Sequence, residues 1–238
     1  MSQGGFIGGT AGLLSAAGFF AYAVRGRSAS IFGPSVYRGD RARQSLALTF
    51  DDGPSESTTE LLDLLAAHNI RATFFMCGQN VDRLPAVARR VAEAGHQIGN
   101  HSDTHPYFHL CSPGRMYQEL ATAQAKIQQA TGAAPALFRA PYGVRWFGLA
   151  KAQHELNLLG VMWSTIGLDW KLPAAAVAQR ILKNPGNGDI FCLHDGRGTQ
   201  KDPDIRATIE ALQVAIPEFQ KRGFRFETVS EILRPALP

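Results

Sequence analysis

Short apolar runs alternate with helical patterns from residue 45 onwards, and this alternation limits the fold more than any other feature. Short runs bounded by turn residues are typical of buried strands, and leucines at three- and four-residue spacing are typical of helices. Strands that alternate with helices form parallel β/α units. About seven units fit, so the sequence predicts an α/β fold, a distorted (β/α)7-type barrel. The predicted strands are 45–50, 72–76, 97–100, 136–139, 158–163, 189–193 and 224–226, and the predicted helices are 58–67, 85–94, 113–130, 146–157, 174–183 and 204–215.

An apolar segment precedes this single domain. No charged residue occurs from Gly4 to Val24, which is about the ~20 residues that a helix needs to cross a bilayer. We interpret residues 1–24 as a membrane anchor or signal segment, 25–44 as a basic linker and 45–238 as the catalytic domain. A signal peptide cleaved after a small residue and a glycine-rich leader are the alternatives to an anchor.

The net charge of +4 comes from the N-terminal part of the chain. Residues 1–43 hold five arginines and one aspartate, and the remainder is balanced. The domain therefore lacks the basic surface that nucleic-acid binding requires. Arginines after an apolar segment favour a cytoplasmic domain, but they also suit contact with anionic headgroups. The side of the membrane therefore stays open.

The cysteines predict no disulfide framework. Cys77, Cys111 and Cys192 are odd in number and lack a CxxC spacing. We expect buried thiols, because free cysteine packs like a small apolar residue. A single Cys77–Cys111 bridge is the alternative.

Polar residues with catalytic chemistry follow the predicted strands. They are Asp51, His101, Arg139, Asp169 and His194. The carboxyl ends of barrel strands gather on one face, where active sites are built. The sequence therefore predicts that these five residues meet in one site.

A histidine pair and an aspartate pair indicate a metal centre. His101 and His105 are four residues apart, which places both on one side of a helical turn. One aspartate of Asp51 and Asp52 completes three ligands, and catalytic zinc sites leave the next position open for water. The other aspartate is then free to accept a proton. We expect a divalent metal, Zn²⁺ by its ligand preference, with Co²⁺ or another divalent ion as alternatives.

Residues later in the chain suit the remaining steps of a hydrolysis. His194 follows an apolar strand and suits a general acid, which an amine leaving group needs. Arg139 suits a partner for a catalytic carboxylate. Tyr142 and Trp170 suit a sugar-binding groove, and Trp163 fits either that groove or the core.

Five motifs together resemble the polysaccharide deacetylase family (NodB-like, carbohydrate esterase family 4) over about residues 45–232. Each motif alone is weak, but the ordered set is specific. The motifs are TFDDGP at 49–54, HSDTH at 101–105, RAPY at 139–142, LDW at 168–170 and CLH at 192–194.

This resemblance implies metal-assisted hydrolysis of an N-acetyl amide. It makes Asp51 the catalytic base, Arg139 the group that orients it, His194 the general acid and the Tyr142 amide an oxyanion donor. The implied sets are catalytic Asp51, Arg139, Asp169 and His194, substrate-binding Pro141, Tyr142, Trp170 and Cys192, and metal-binding Asp52, His101 and His105.

Two positions depart from the family pattern. Ile166 stands where an aspartate that sets the charge of the acid histidine is usual, so we expect His194 to be protonated less often at neutral pH. Cys192 stands where leucine is usual, so we expect an altered acetyl pocket.

The sequence thus predicts a metal-dependent hydrolase that removes N-linked acetyl groups from N-acetylhexosamine residues of a polysaccharide, peptidoglycan or chitin-like. A deacylase of a lipid-linked or small aminosugar and a non-catalytic carbohydrate-binding protein are the alternatives. The expected partners are the carbohydrate polymer and, through residues 4–24, a membrane; no nucleic-acid or protein partner is indicated. We expect membrane association in the bacterial cell envelope.

Overall fold

A computed structural model describes residues 17–235, which form an α/β fold around a nine-stranded sheet. The strands are β1 (Ser35–Val36), β2 (Ser45–Gly53), β3 (Thr73–Met76), β4 (Gln97–Asn100), β5 (Leu137–Phe138), β6 (Leu159–Val161), β7 (Thr165–Ile166), β8 (Asp189–His194) and β9 (Arg225–Phe226). The helices are α1 (17–25), α2 (Thr58–Ala67), α3 (Gly78–Arg83), α4 (Pro85–Glu93), α5 (Pro113–Thr131), α6 (Leu149–Glu155), α7 (Ala174–Leu182), α8 (Arg206–Lys221) and α9 (Val229–Ile232).

The sheet curls into an open barrel. Its order is β1-β6-β5-β4-β3-β2-β8-β7, with β9 added at the start of β2, and these strand pairs are parallel. Among residues 17–235 the two end strands, β1 and β7, do not pair with each other. The predicted distorted α/β barrel is therefore confirmed.

Strand β2 lies inside the sheet, between β3 and β8, and all nine of its residues are buried. Successive side chains of a strand point to opposite faces. Leu46, Leu48 and Phe50 belong to the large apolar cluster that also contains residues of the surrounding helices. Ala47 belongs to a smaller cluster with residues of β3, β6 and β8. Asp51 follows the alternation of Ala47 and therefore faces the inside of the curled sheet.

Four elements have no counterpart in the sequence prediction: β1, β7, α3 and α9. Both strands are short and lie beside turn residues, Pro34 before β1 and Gly167 after β7, so no apolar run marks them. Strand β1 lies inside the predicted linker 25–44 and pairs with β6. Ala29 and Phe32 of the same segment are buried. This part of the segment is therefore packed against the domain.

The predicted membrane segment 1–24 falls mostly on residues 1–16, which lie outside the described residues. Of the segment, only 17–24 is described, as most of α1. Over residues 17–235, no helix combines the length and the apolar character that crossing a bilayer requires.

The three cysteines are free thiols, as predicted. Cys77 and Cys192 are buried, and Cys111 is partly exposed. The alternative Cys77–Cys111 bridge is not formed.

Candidate active site

The carboxyl ends of the strands open into one cavity of about 610 Å³. Side chains from the first, second, fourth and fifth motifs line it, together with Tyr142 of the third motif. The lining residues are Arg25, Asp51, Asp52, His101, His105, Tyr107, Tyr142, Gly143, Met162, Trp163, Ile166, Leu168, Trp170, Cys192, His194, Arg197 and Gly198.

Asp52, His101 and His105 form a compact group, here named the ligand cluster. Asp52 Oδ1 lies 3.3 Å from His101 Nε2 and 3.0 Å from His105 Nε2. Asp52 and His105 have positive φ angles of 72° and 57°. Non-glycine residues rarely adopt this left-handed backbone, and such strain concentrates at functional sites. The chain is thus bent so that the three donor atoms converge.

Hydrogen bonds behind the cluster orient the first histidine. Nδ1 of His101 lies 2.8 Å from the Arg139 carbonyl oxygen. A carbonyl only accepts, so Nδ1 carries the proton and donates it, which leaves the lone pair of Nε2 directed at the cluster. This is the tautomer that a metal-binding imidazole requires.

The donor set fits a divalent cation. Asp52 Oδ1 is buried and makes no hydrogen bond with the described residues. Burial opposes ionisation of Asp52, but the two neighbouring histidines, when they carry protons, and the charge of His194 outweigh it and hold the pKa of Asp52 well below its usual value. A cation at the same place would supply that positive charge instead of the protons. An ionised, unsatisfied buried oxygen is costly without a cation. Two imidazoles and one carboxylate are a catalytic zinc donor set.

Glu119 of α5 holds the loop that carries both histidines. Its carboxylate accepts hydrogen bonds from the backbone amides of Asp103 and Thr104 at 3.1 and 2.8 Å. It also accepts the Thr104 hydroxyl at 2.9 Å and pairs with Arg115. The sequence analysis did not find Glu119, because it looks like an ordinary helix carboxylate.

A buried ion pair stands beside the ligand cluster. Nη1 of Arg139 lies 2.6 Å from Asp51 Oδ1, and the arginine is fully buried. The guanidinium also donates to Thr49 Oγ1 and to the carbonyls of Val161 and Met162. These bonds leave Arg139 one orientation and so position the Asp51 carboxylate. Arg139 itself lies behind the cavity wall.

A second ion pair stands across the cavity. Nδ1 of His194 lies 2.9 Å from Asp169 Oδ1, and Asp169 Oδ2 accepts the His194 amide and the Thr208 hydroxyl. Burial disfavours a charged ring, yet the Asp169 carboxylate outweighs it and raises the pKa of His194 to about 9. The expectation that Ile166 leaves His194 less protonated at neutral pH is therefore wrong, since Asp169 supplies the partner.

Aromatic rings form the exposed rim of the cavity. Tyr142 is 41% exposed and stacks on Tyr107, with ring centroids 3.8 Å apart. Trp170 is 47% exposed and meets the His194 ring edge-on at 4.8 Å. Trp163 is half-buried, lines the cavity and lies over the Arg139 guanidinium. The sequence analysis missed Tyr107, although it follows the HSDTH motif by two residues.

The remaining expected residues occupy different positions. Cys192 is buried, lines the cavity and places its sulfur 3.4 Å from Asp51 Oδ2. Pro141 is buried and is not part of the cavity lining. Ile166 belongs to β7 and lines the cavity.

Two glycines allow the ends of β2 and β8 to approach closely. A Cβ atom on Gly53 would overlap the Asp195 carboxylate, and one on Gly196 would overlap the backbone of Asp52. Asp195 accepts the Thr58 hydroxyl at 2.7 Å. Burial and the nearby Asp52 charge raise the pKa of Asp195 to about 7. The Asp195 side chain thus ties the loop after β8 to the start of α2, and its backbone amide donates to the Asp51 carbonyl at 3.1 Å.

An open parallel barrel with a donor cluster that fits a cation, and with two ion pairs at the strand ends, is the arrangement expected of a metal-dependent hydrolase. The family model for polysaccharide deacetylases matches residues 38–161, and the chain belongs to this family. The chain is a hydrolase of the polysaccharide N-deacetylase class, which acts on carbon–nitrogen bonds other than peptide bonds.

Individual relatives agree with this assignment. The chain is 32% identical over 201 residues to a peptidoglycan-N-acetylglucosamine deacetylase of Bacillus cereus, covering 84% of this chain and 72% of the relative. It is 34% identical to a chitooligosaccharide deacetylase of Bradyrhizobium, over 79% of this chain and 90% of the relative. The crystal structure of the Bc1960 peptidoglycan N-acetylglucosamine deacetylase superposes with a TM-score of 0.78 at 30% identity, covering 84% of this chain and 92% of that chain.

Proposed function

We propose that this chain removes N-linked acetyl groups from N-acetylglucosamine residues of a glycan, peptidoglycan or a chitin-like polymer. The observation that carries the proposal is the placement of a cation-binding cluster, a fixed carboxylate and a protonated imidazole around one cavity. The names of the relatives, which act on peptidoglycan and chitooligosaccharides, support the substrate class.

Asp52, His101 and His105 would hold the divalent metal, and zinc is the ion that this donor set favours. When bound, the metal supplies a positive charge that acidifies water and polarises the acetyl carbonyl. The ionised Asp52 and the Nε2 lone pair of His101 prepare the cluster for that role.

Asp51 acts as the general base in this proposal. Its Oδ1 is held by Arg139, and its Oδ2 is left with the weak thiol donor of Cys192. The carboxylate accepts the proton of the attacking water, whose oxygen then bonds to the acetyl carbon. Positioning of such a base is typically worth about 10²–10⁴-fold in rate.

In this proposal Tyr142 stabilises the oxyanion and His194 protonates the leaving nitrogen. The backbone amide of Tyr142 donates to the oxyanion that develops on the acetyl oxygen, and a donor of this kind is worth about 3–4 kcal/mol. His194 gives the proton on Nε2 to the sugar nitrogen as the carbon–nitrogen bond breaks, because its Nδ1 is engaged by Asp169. Acetate and the free amine leave. Trp170 and Tyr142 face the sugar rings at the rim.

A peptidoglycan substrate implies action in the cell envelope. We further propose that residues 4–24 attach the chain to a membrane, since no charge interrupts that segment. Membrane binding of the whole chain, compared with a variant that carries Ala17→Glu and Ala21→Glu, would test this. Equal partitioning of the two proteins into vesicles would contradict it.

The central test of the proposal is acetate release by the purified full chain. The protein is stripped of metal, refilled with Zn²⁺, Co²⁺ or Mg²⁺, and given N-acetylglucosamine oligomers or peptidoglycan. We expect acetate only from metal-loaded protein, with zinc the most effective. A folded, metal-loaded protein that binds the oligomers without releasing acetate would contradict the catalytic proposal and favour a binding role.

A further inference from the structure

A second cavity of about 530 Å³ adjoins the catalytic cavity. The two share Arg25, Met162, Trp163 and Ile166 in their walls, so they lie side by side. One wall of the second cavity is formed by the last turn of α1 and by residues 26–28, which follow it. The full lining is Tyr22, Arg25, Gly26, Arg27, Ser28, Met162, Trp163, Ser164, Thr165, Ile166 and Arg180.

The charge of this second cavity has one sign. Arg25, Arg27 and Arg180 line it, and no aspartate or glutamate does. Within residues 17–235, none of the three arginines forms an ion pair with a carboxylate. Three unneutralised guanidinium groups around one cavity create a positive potential that attracts an anion.

Each guanidinium donates to one backbone carbonyl, and that of Arg27 also lies over the Tyr37 ring, 6.0 Å from its centroid. Arg25 donates to the carbonyl of Tyr142 at 3.1 Å, Arg180 to that of Ile166 at 2.6 Å, and Arg27 to that of Ser164. A guanidinium has five N–H donors. The remaining donors make no hydrogen bond with residues 17–235 and can therefore meet a ligand, and the carbonyl bonds fix the direction in which each group points.

Arg145 fixes the segment that carries two of these arginines. Its buried side chain donates to the carbonyls of Gly26 and Ala29 and to the Ser35 hydroxyl, and its backbone amide donates to Val24. The wall is therefore anchored on both sides of Arg27. A preformed wall binds a ligand without the entropic cost of ordering a loop.

We propose that this second cavity, here named the arginine cavity, binds a carboxylate on the sugar next to the one whose acetyl group is removed. Carboxylates match the planar fork of arginine, which can bind them through two parallel hydrogen bonds. The inference rests on the proposed function and sharpens it: the preferred substrate is a glycan with acidic substituents on neighbouring sugars.

The test uses the full, metal-loaded chain and one oligosaccharide in two forms. The first is a peptide-free peptidoglycan tetrasaccharide, whose alternate sugars carry a lactyl carboxylate, and the second is its methyl ester. We expect the parent protein to favour the carboxylate form by about tenfold in kcat/KM, the factor that about 1.4 kcal/mol supplies. Salt should reduce this preference.

Variants R180Q and R27Q should each lower the preference about threefold, and the double variant should abolish it. Variant R89Q is the matched control, because Arg89 also donates its Nε to a backbone carbonyl, lies on exposed α4 and is absent from both cavity linings. It should keep the parent preference. The binding of the carboxylate and ester forms is also measured by calorimetry, which does not depend on turnover.

The outcomes separate the two proposals. Absence of acetate from both forms would overturn the proposed function, and binding would still report on the arginine cavity. Equal kcat/KM and equal binding of carboxylate and ester by the parent would overturn the arginine cavity alone. A loss of binding to anionic phospholipid vesicles in R27Q and R180Q, with an unchanged glycan preference, would likewise overturn it and assign the arginines to the membrane surface.

Discussion

The ligand cluster and the two ion pairs of the catalytic cavity differ in how well their polar groups are satisfied. In the ligand cluster, Asp52 Oδ1 is buried without a hydrogen bond. In the ion pairs, Asp51 is held by Arg139 and Asp169 by His194 and Thr208. Buried polar groups are normally paired. The ligand cluster is therefore suited to bind a ligand, and the two ion pairs hold their own charged groups in place.

This difference separates two kinds of failure. Damage to the ligand cluster should remove the metal, and with it the reaction. Damage to an ion pair should leave the metal in place and change the rate or its pH dependence. The variants below test this separation, from the largest expected effect to the smallest.

We expect His101→Ala to lose both the metal and turnover. One of three ligands disappears, and metal charge supplies several kcal/mol of transition-state stabilisation, so kcat/KM should fall by about 10³-fold or more. Metal content and acetate release are measured together. His154→Ala, on the exposed side of α6, is the control. Full metal content in His101→Ala would remove this histidine from the ligand set.

We expect Asp169→Asn to keep the metal but move the pH profile. Asp169 raises the pKa of His194 to about 9, so the acid form persists up to that pH and is lost above it. Without the carboxylate, the pKa falls and the alkaline limb of kcat moves to lower pH. At pH 8 the rate should fall by about 10- to 100-fold. Asp63→Asn, from an exposed ion pair between α2 and α4, is the control.

An alkaline limb that stays near pH 9 in Asp169→Asn would contradict the assignment of that limb to His194.

The ionisation of His194 also affects the stability of the fold. Because the pKa of His194 is raised on folding, its contribution is complete below its unfolded value and is lost as the pH rises through about 9. Parent and variant should therefore differ less in unfolding free energy above pH 9 than at pH 6.

We expect Glu119→Gln to weaken metal binding by about tenfold, the low end of effects from groups that support metal ligands. The glutamine loses the charge that accepts two loop amides beside the histidines. Calorimetric zinc binding measures this, with Glu60→Gln of α2 as the control. A shifted pH profile with unchanged zinc affinity would contradict the role of Glu119 in holding the ligand loop.

We expect the smallest effect from Cys192→Ser, a decrease of kcat of a few-fold, with metal content unchanged. A hydroxyl donates a stronger hydrogen bond than a thiol, so it should make Asp51 Oδ2 a weaker base. Cys111→Ser is the control, since Cys111 lies outside the catalytic cavity. Loss of metal in Cys192→Ser would place the thiol among the ligands.

Much of this site could be predicted from sequence, because strand-end placement is a local pattern. Because strand ends converge in a barrel, Asp51, His101 and His194 were predicted to share one site, and the residue types and their spacing predicted its chemistry. The barrel was predicted for the same reason, since most of its strands lie within short apolar runs.

The rest depends on contacts that no local pattern contains. Strands β1 and β7 have two residues each, and pairing alone defines them. The charge state of His194 was predicted wrongly. The sequence shows that Ile166 replaces an aspartate, but it does not show that Asp169 lies within hydrogen-bond distance of the His194 imidazole. Arg25 lines the catalytic cavity and donates a hydrogen bond to the carbonyl of Tyr142, although the two residues are 117 positions apart in the sequence.

The most direct measurement compares Asp51→Asn with Asp52→Asn, two adjacent and nearly isosteric changes. For each variant, zinc content and acetate release from an N-acetylglucosamine oligomer are determined on the full chain. We expect Asp51→Asn to retain zinc and lose about 10²–10⁴-fold in kcat, and Asp52→Asn to lose zinc. The reverse pattern, or zinc loss in both variants, would contradict the division of labour between the two aspartates.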